Sequence, residues 1–315
     1  MKTWVIPYVD LAPPFWDEIA AQYGEYIRSV YFPMPGGIVA SGRPQQPDRF
    51  MDEFLRNSTL SKTVLVNPIV LPRPAEQMAP AIIEALICLR DDYGVSSVTV
   101  SNPTLARLLK EALPDFKVGA SILMGISTPA QVLMIQDYVD SIVLDNRLLR
   151  DLAALQRIRQ TFSGEICLIV NEACLPGCPY RTQHFYEMGY GKDFPQSLCQ
   201  QMLDERPWLR LTGAWVLPQH LVYYEGLYDS LKLAGRVTLR DSARYFRVLD
   251  AYVHRKKLLP RDIGGGPASI VEGIDIPDKL FEKILHCEKN CLACTVCRDY
   301  YEQAIAKVRE AEVAR

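Results

Sequence analysis

The chain has 315 residues, 49% of them hydrophobic, enough to bury a full core as one large α/β domain or two smaller ones. Lys plus Arg (35) nearly cancels Asp plus Glu (37), which speaks against a surface built to track a phosphate backbone, and no DNA partner is expected. No uninterrupted apolar run reaches about 18 residues, and the N-terminal "MKTWVIPYVDLAPPFW" lacks the apolar core and cleavage site of a signal peptide; the expectation is a cytoplasmic protein with no membrane partner.

In chain order, short β-rich runs recur at 4–9, 29–34, 63–68, 96–102, 117–123, 140–145, 165–171 and 229–235, with helical stretches between them. One of these, "TPAQVLMIQDYV", opens with Thr128 as cap, Pro129 in the first turn and Gln131 completing a capping box. Near-continuous apolar strands separated by helices predict a parallel sheet covered on both faces. Eight such repeats, with no GxGxxG after the first, predict a (β/α)8 TIM-like barrel rather than an open doubly wound sheet. The run "LRLTGAWVLP" at 209–218 is either a substitute strand or a decoration of the last crossover. The barrel is assigned to residues 1–259. Residues 260–315 form a C-terminal cysteine-rich extension that begins irregularly with "DIGGGPASIVEGIDIPD" and ends in a helix.

Barrel chemistry sits at the C-terminal ends of the strands. Those ends carry Asp10, Asn67, Asn102, Ser121, Asp145, Asn171 and Glu172, with Lys232 and Arg236 on the last; each is by itself a common turn former or helix cap. Asn171, Asp145, Lys232 and Arg236 are the candidate substrate-binding residues. After strand eight, "LKLAGRVTLRD" offers a turn at Gly235 and a cap at Thr238 and Asp241, the kind of loop that binds an anion through free backbone N–H groups. The plainer reading makes Lys232 an inward barrel residue paired with a carboxylate such as Asp145.

The nine cysteines are unlike a disulfide framework. Cys88 and Cys199 read as structural helix residues, and Cys167 lies inside a strand. "HCEKNCLACTVCRDYYEQ" holds Cys287, Cys291, Cys294 and Cys297 in one C-x3-C-x2-C-x2-C run. A contiguous run of thiolates suits an iron–sulfur cube better than zinc, which usually takes two separated pairs, and a [4Fe–4S] cluster is the expected cofactor. The first three match the C-x3-C-x2-C of radical S-adenosylmethionine enzymes, which usually carry it after the first barrel strand. "NEACLPGCPYRTQH" adds Cys174 and Cys178 just past strand seven, as further metal ligands or as a separate pair. Arg181 offers a rigid fork for a carboxylate or phosphate and His184 an acid or base near neutral pH, so these two are the candidate catalytic residues.

"YDSLKLAGRVTLRDSARYFRVLDAYVHRK" (228–256), "VYFPMPGG" (30–37) and "ICLIVNEACLPGCPYRTQHF" (166–185) resemble signatures of the collagenase-like U32 peptidases. The resemblance implies a TIM-like barrel with an oxygen-sensitive [4Fe–4S] cluster. Several relatives act in oxygen-independent hydroxylation of a quinone-precursor ring or of RNA bases, with prephenate as the proposed oxygen donor. The matching positions are Cys174, Cys178, Lys232, Gly235 and Arg236. Ala234 stands where the family carries an acidic residue, and the C-terminal array departs from the hydroxylases' spacing. The expected partners are a small-molecule or RNA substrate, an electron donor and a related subunit in a hetero-oligomer. Without HExxH or GxSxG, proteolysis is the weaker expectation. A non-catalytic iron–sulfur carrier or assembly subunit competes with these readings, as does a radical S-adenosylmethionine enzyme.

Overall fold

A computed structural model describes residues 3–43, 48–189, 198–263, 273–291 and 293–313. Eight parallel strands close a barrel in sequence order: β1 (Trp4–Pro7), β2 (Ile27–Pro33), β3 (Lys62–Val66), β4 (Ser97–Val100), β5 (Lys117–Ala120), β6 (Ser141–Val143), β7 (Glu165–Ile169) and β8 (Ser230–Lys232). β8 returns to β1 in the register Trp4 to Leu231 and Val5 to Lys232. Each expected apolar run overlaps one of these strands, because a strand packed between the barrel interior and an outer helix has no wet face to fill with polar residues.

Helices α1 (Pro13–Tyr23), α2 (Met51–Asn57), α3 (Ala75–Tyr93), α4 (Pro103–Ala112), α5 (Pro129–Leu133) and α6 (Leu152–Thr161) cover the crossovers. The capping box at Thr128 and Gln131 forms as the sequence requires. Between β7 and β8 come α7 (Arg181–Gly189) and α8 (Leu198–Glu205), and after β8 comes α9 (Ser242–Val253). The run 209–218 is not a strand: it lies across two 3-10 turns, Pro207–Thr212 and Pro218–Tyr224. Its middle lies against the loop after β7, with the Val216 N–H donating to Val170 O (2.6 Å) and the Ala214 N–H to Cys174 O (2.9 Å). Those two bonds hold the cysteine-bearing loop to a rigid edge.

Much of the segment read as an irregular lead-in, residues 264–272, lies outside the described residues. Beyond it, α10 (Asp278–Leu285) and α11 (Val296–Val313) pack on the barrel: Leu280, Phe281, Ile284, Leu285 and Ile305 are buried in the same hydrophobic core as the strands. Phe281 stacks on the fully buried His220, with ring centroids 4.1 Å apart. Among the described residues no helix is long and apolar enough to cross a membrane.

Candidate functional site

At the C-terminal mouth, β7 runs on into Asn171, Glu172 and Cys174. Glu172, nearly buried, takes both arms of the Arg181 fork at 3.1 and 3.3 Å, and Asn146 Nδ2 approaches the same carboxylate at 3.4 Å. The adjacent carboxylate and thiol hold the Arg181 guanidinium above its usual range despite its burial. Phe185, one turn along α7, is shared by two cations: the guanidinium carbons of Arg43 and Arg181 lie 4.4 and 5.1 Å from its ring centroid. Arg43 donates to Met188 Sδ (3.2 Å), and His184 Nε2 lies 2.7 Å from the same sulfur. Burial and the neighbouring Arg43 and Arg181 push the His184 pKa down, so its imidazole is neutral at pH 7.

Arg43 reaches this site because residues 41–43 lie flat on the barrel rim. The Gly42 N–H donates to Asn67 Oδ1 (3.3 Å), whose Nδ2 donates to Ser121 Oγ (3.2 Å). A Cβ at Gly42 would stand 2.7 Å from the tip of Leu123 and 3.2 Å from Asn67 O, so a side chain there would make the Leu123 tip shift and the loop sit further off. Arg236 is tied to the same loop through Ser41 Oγ (3.2 Å) and lines a cavity of about 160 Å3 with Asp10, Tyr8 and Arg240. Its pKa falls to about 10 through burial, with Arg43 acting in the same direction.

Three thiols meet beside this cluster. Cys178 accepts hydrogen bonds from Cys174, the Tyr180 backbone N–H and Cys199, which draw its pKa down to about 6. Cys174 is driven far up by the same bond, and burial together with the Cys178 charge lifts Cys199 to about 11. The arrangement is one thiolate solvated by two thiols and an amide. Among the described residues no three His, Cys, Asp or Glu side chains converge as a ready-made metal centre.

The C-terminal cysteines form a second group. Cys287, Cys291 and Cys294 are exposed and Cys297 is half-buried, its pKa raised to about 11 by burial and then by the other three. A turn with the Cys294 N–H on Asn290 O (2.9 Å) brings this group round, and behind it lies the buried Arg150. Arg150 donates to two carbonyls, Gly213 O at 2.6 Å and Trp215 O at 2.7 Å, and its buried Nε has no partner among the described residues.

Three of the expected substrate-binding residues are otherwise engaged. The fully buried Asn171 side chain staples β7 to the loop after β8: Nδ2 donates to Ala234 O (2.8 Å) and Ile263 O (3.0 Å), and the Ala234 N–H donates to Oδ1 (2.7 Å). Asp145 is a cap whose Oδ1 accepts from the Arg147 N–H and Nε, both at 2.9 Å. Lys232 points into the barrel rather than to its mouth, and Asp145 is not its partner. Arg181, His184, Cys174, Cys178 and Arg236 are at the C-terminal end as expected. Arg43, Phe185 and Cys199 join the site without having stood out in the sequence; the short "SGR" after strand two is the one sequence cue to Arg43.

No family model matches the chain. A protein named as the uncharacterized protease MJ1657 of Methanocaldococcus jannaschii is 26% identical over 236 residues, covering 68% of each chain. The solved structure of the U32 peptidase Mk0906 superposes with a TM-score of 0.55 at 16% identity, over 74% of this chain and 92% of that one. The chain is a U32-peptidase-like barrel. The phosphoribosylanthranilate isomerase of Thermus thermophilus, at a TM-score of 0.43 and 13% identity over 80% of this chain and 97% of its own, is a more distant likeness. In this U32-like barrel the loop after β7 and the rim loop after β2 carry the polar chemistry, at the end of the fold where barrel enzymes place it.

Proposed function

We propose that this U32-like barrel is a [4Fe–4S]-dependent enzyme that modifies a small anionic or aromatic metabolite, or an RNA base, at its C-terminal mouth. Oxygen-independent hydroxylation is the reaction the family resemblance implies. The observation that supports this reading is the meeting of Cys174, Cys178 and Cys199 beside the Arg43, Arg181 and Glu172 cluster. Cys174, Cys178 and Cys199, and separately Cys287, Cys291, Cys294 and Cys297, are soft sulfur donors of the kind iron–sulfur clusters take, and binding a cluster would require either group to draw closer than it stands. When bound, such clusters supply electrons and, at an open iron, a Lewis-acidic position for a substrate oxygen.

The protein's own groups do the rest. Arg43 and Arg181 stand against one carboxylate, Glu172, and offer two guanidinium groups that can hold and orient an anion. Phe185 offers an aromatic face to a ring. Neutral His184 accepts a proton from a bound group without first having to lose one. The exposed C-terminal cysteines lie where an electron-donor partner has access.

Peptidase action is the second reading, favoured by the relatives' names and by a Cys178 thiol drawn down to about 6, low enough to be a thiolate nucleophile. The deciding experiment is purification without oxygen, followed by iron and acid-labile sulfide analysis. One cube corresponds to roughly four iron and four sulfide per chain, and a cube on each cysteine group to roughly eight of each. Iron-free protein that cleaves peptides, with cleavage lost in Cys178→Ser, would replace the first reading with the second.

A further inference from the structure

The opposite end of the barrel holds a cavity of about 340 Å3, lined by the first residues of the strands and reaching inward to Lys232. A barrel's N-terminal end commonly contributes stability alone, through apolar layers or paired charges. Here the charges do not pair. Arg28, Lys62, Lys117 and Lys232 line the cavity against one carboxylate, Glu165, which is held by Arg28. Four cations less one carboxylate leave three positive charges. Asp140 and Asp229, at the same end, do not line the cavity and are engaged by Lys110 and Arg159. Lys62 donates only to the carbonyls of Ser58 (2.9 Å) and Tyr93 (3.3 Å), which leaves its charge uncompensated.

Lys232 is the decisive group. It is 8% exposed, its ammonium has no hydrogen-bond or ion-pair partner among the described residues, and it lies over the Tyr31 ring, whose centroid is 3.9 Å away, with the Cys167 thiol also beside it. Burying an ammonium without a counter-charge is costly, and desolvation accordingly lowers its pKa to about 8. Such a lysine is relieved by an anion rather than by water. Hydroxyls of Thr99, Ser141 and Ser230 line the same space and are donors suited to the several oxygens of one oxyanion, while Ser97 already donates to Lys62 O (3.1 Å). Gly119 keeps the space open, since a Cβ there would stand 2.8 Å from Ser141 Oγ.

We infer that the N-terminal mouth of the barrel is a second ligand site, which binds the phosphate group of a small phosphorylated metabolite between Lys232, Lys62 and Lys117. The ring of eight strand starts admits a small molecule and excludes a polymer. This site is separate from the C-terminal mouth and does not depend on the function proposed for it.

The test is calorimetric titration of the full chain with inorganic phosphate, against chloride at matched ionic strength. The expected result is saturable binding, weakened at least tenfold both in Lys117→Gln, at the exposed rim, and in Lys232→Met. Arg236→Gln, at the other mouth, leaves that binding event in place. Should Lys232→Met fail to fold, Lys117→Gln alone decides. Absence of saturable binding, equal affinity in wild type and Lys117→Gln, or loss of binding in Arg236→Gln in place of the lysine variants, each overturns the inference.

Discussion

Arg181 holds Glu172 with both guanidinium nitrogens, at 3.1 and 3.3 Å, in a pair whose side chains are only 11% and 7% exposed. A neighbouring desolvated cation, Arg43, depends on the same carboxylate. Removing that one negative charge leaves two buried guanidinium groups without compensation. Glu172→Gln is therefore expected to lower stability by about 3–5 kcal/mol, the range for breaking a buried pair from one side, as read by urea denaturation. A loss below about 1 kcal/mol would mean that solvent already compensates the two arginines.

Cys199 and Cys88 look alike in sequence, each a lone cysteine in a helix, yet only Cys199 meets a second thiol. Anaerobically purified Cys199→Ser and Cys178→Ser should each lose about half the iron of wild type, and Cys291→Ala with Cys294→Ala the other half. Cys88→Ser should lose none. Full iron in Cys199→Ser would remove the three-thiol group from cluster binding.

His220 is fully buried against Phe281, with Asp278 Oδ1 3.3 Å from its Nε2. Burial outweighs that carboxylate and pushes its pKa down to about 4. The unfolded imidazole titrates near 6.5, so between pH 6.5 and 4 the unfolded chain binds the extra proton and stability falls as the pH falls. The contribution is fully present above about pH 6.5 and is on the order of 2–3 kcal/mol. Thermal melts from pH 7.5 to 4.5 should show that slope, and His220→Gln should flatten it. An unchanged slope in the variant would assign the acid sensitivity elsewhere.

Asn171 and Arg236 separate structure from binding. Asn171→Ala strands the Ala234 N–H and two carbonyls and should cost about 2–4 kcal/mol in denaturation, as expected for buried groups left unsatisfied. Among the described residues Arg236 makes one side-chain hydrogen bond, with Ser41, and it lines its cavity. Arg236→Ala should weaken an anionic substrate by roughly 1.5–3 kcal/mol while leaving iron content unchanged. Iron loss together with unfolding would instead make Arg236 a structural residue.

The barrel was legible in the sequence because its signals are local. An apolar run of strand length, a Thr128 and Gln131 capping box and a proline in a first turn each act within a few residues, and all eight expected runs overlap a strand. The loop "NEACLPGCPYRTQH" was likewise legible as a polar segment at the end of a strand. What the sequence did not contain was direction and distance. Lys232 could face the mouth, the lumen or a helix until closure of β8 onto β1 set its side chain inward, because in a barrel the facing of a strand residue depends on register with both neighbours. Arg43 and Cys199 come to the site from either side of the chain segment that carries Cys174. Their approach rests on a glycine that lets one loop lie flat and on hydrogen bonds between segments remote in sequence, and these exist only once the barrel has closed.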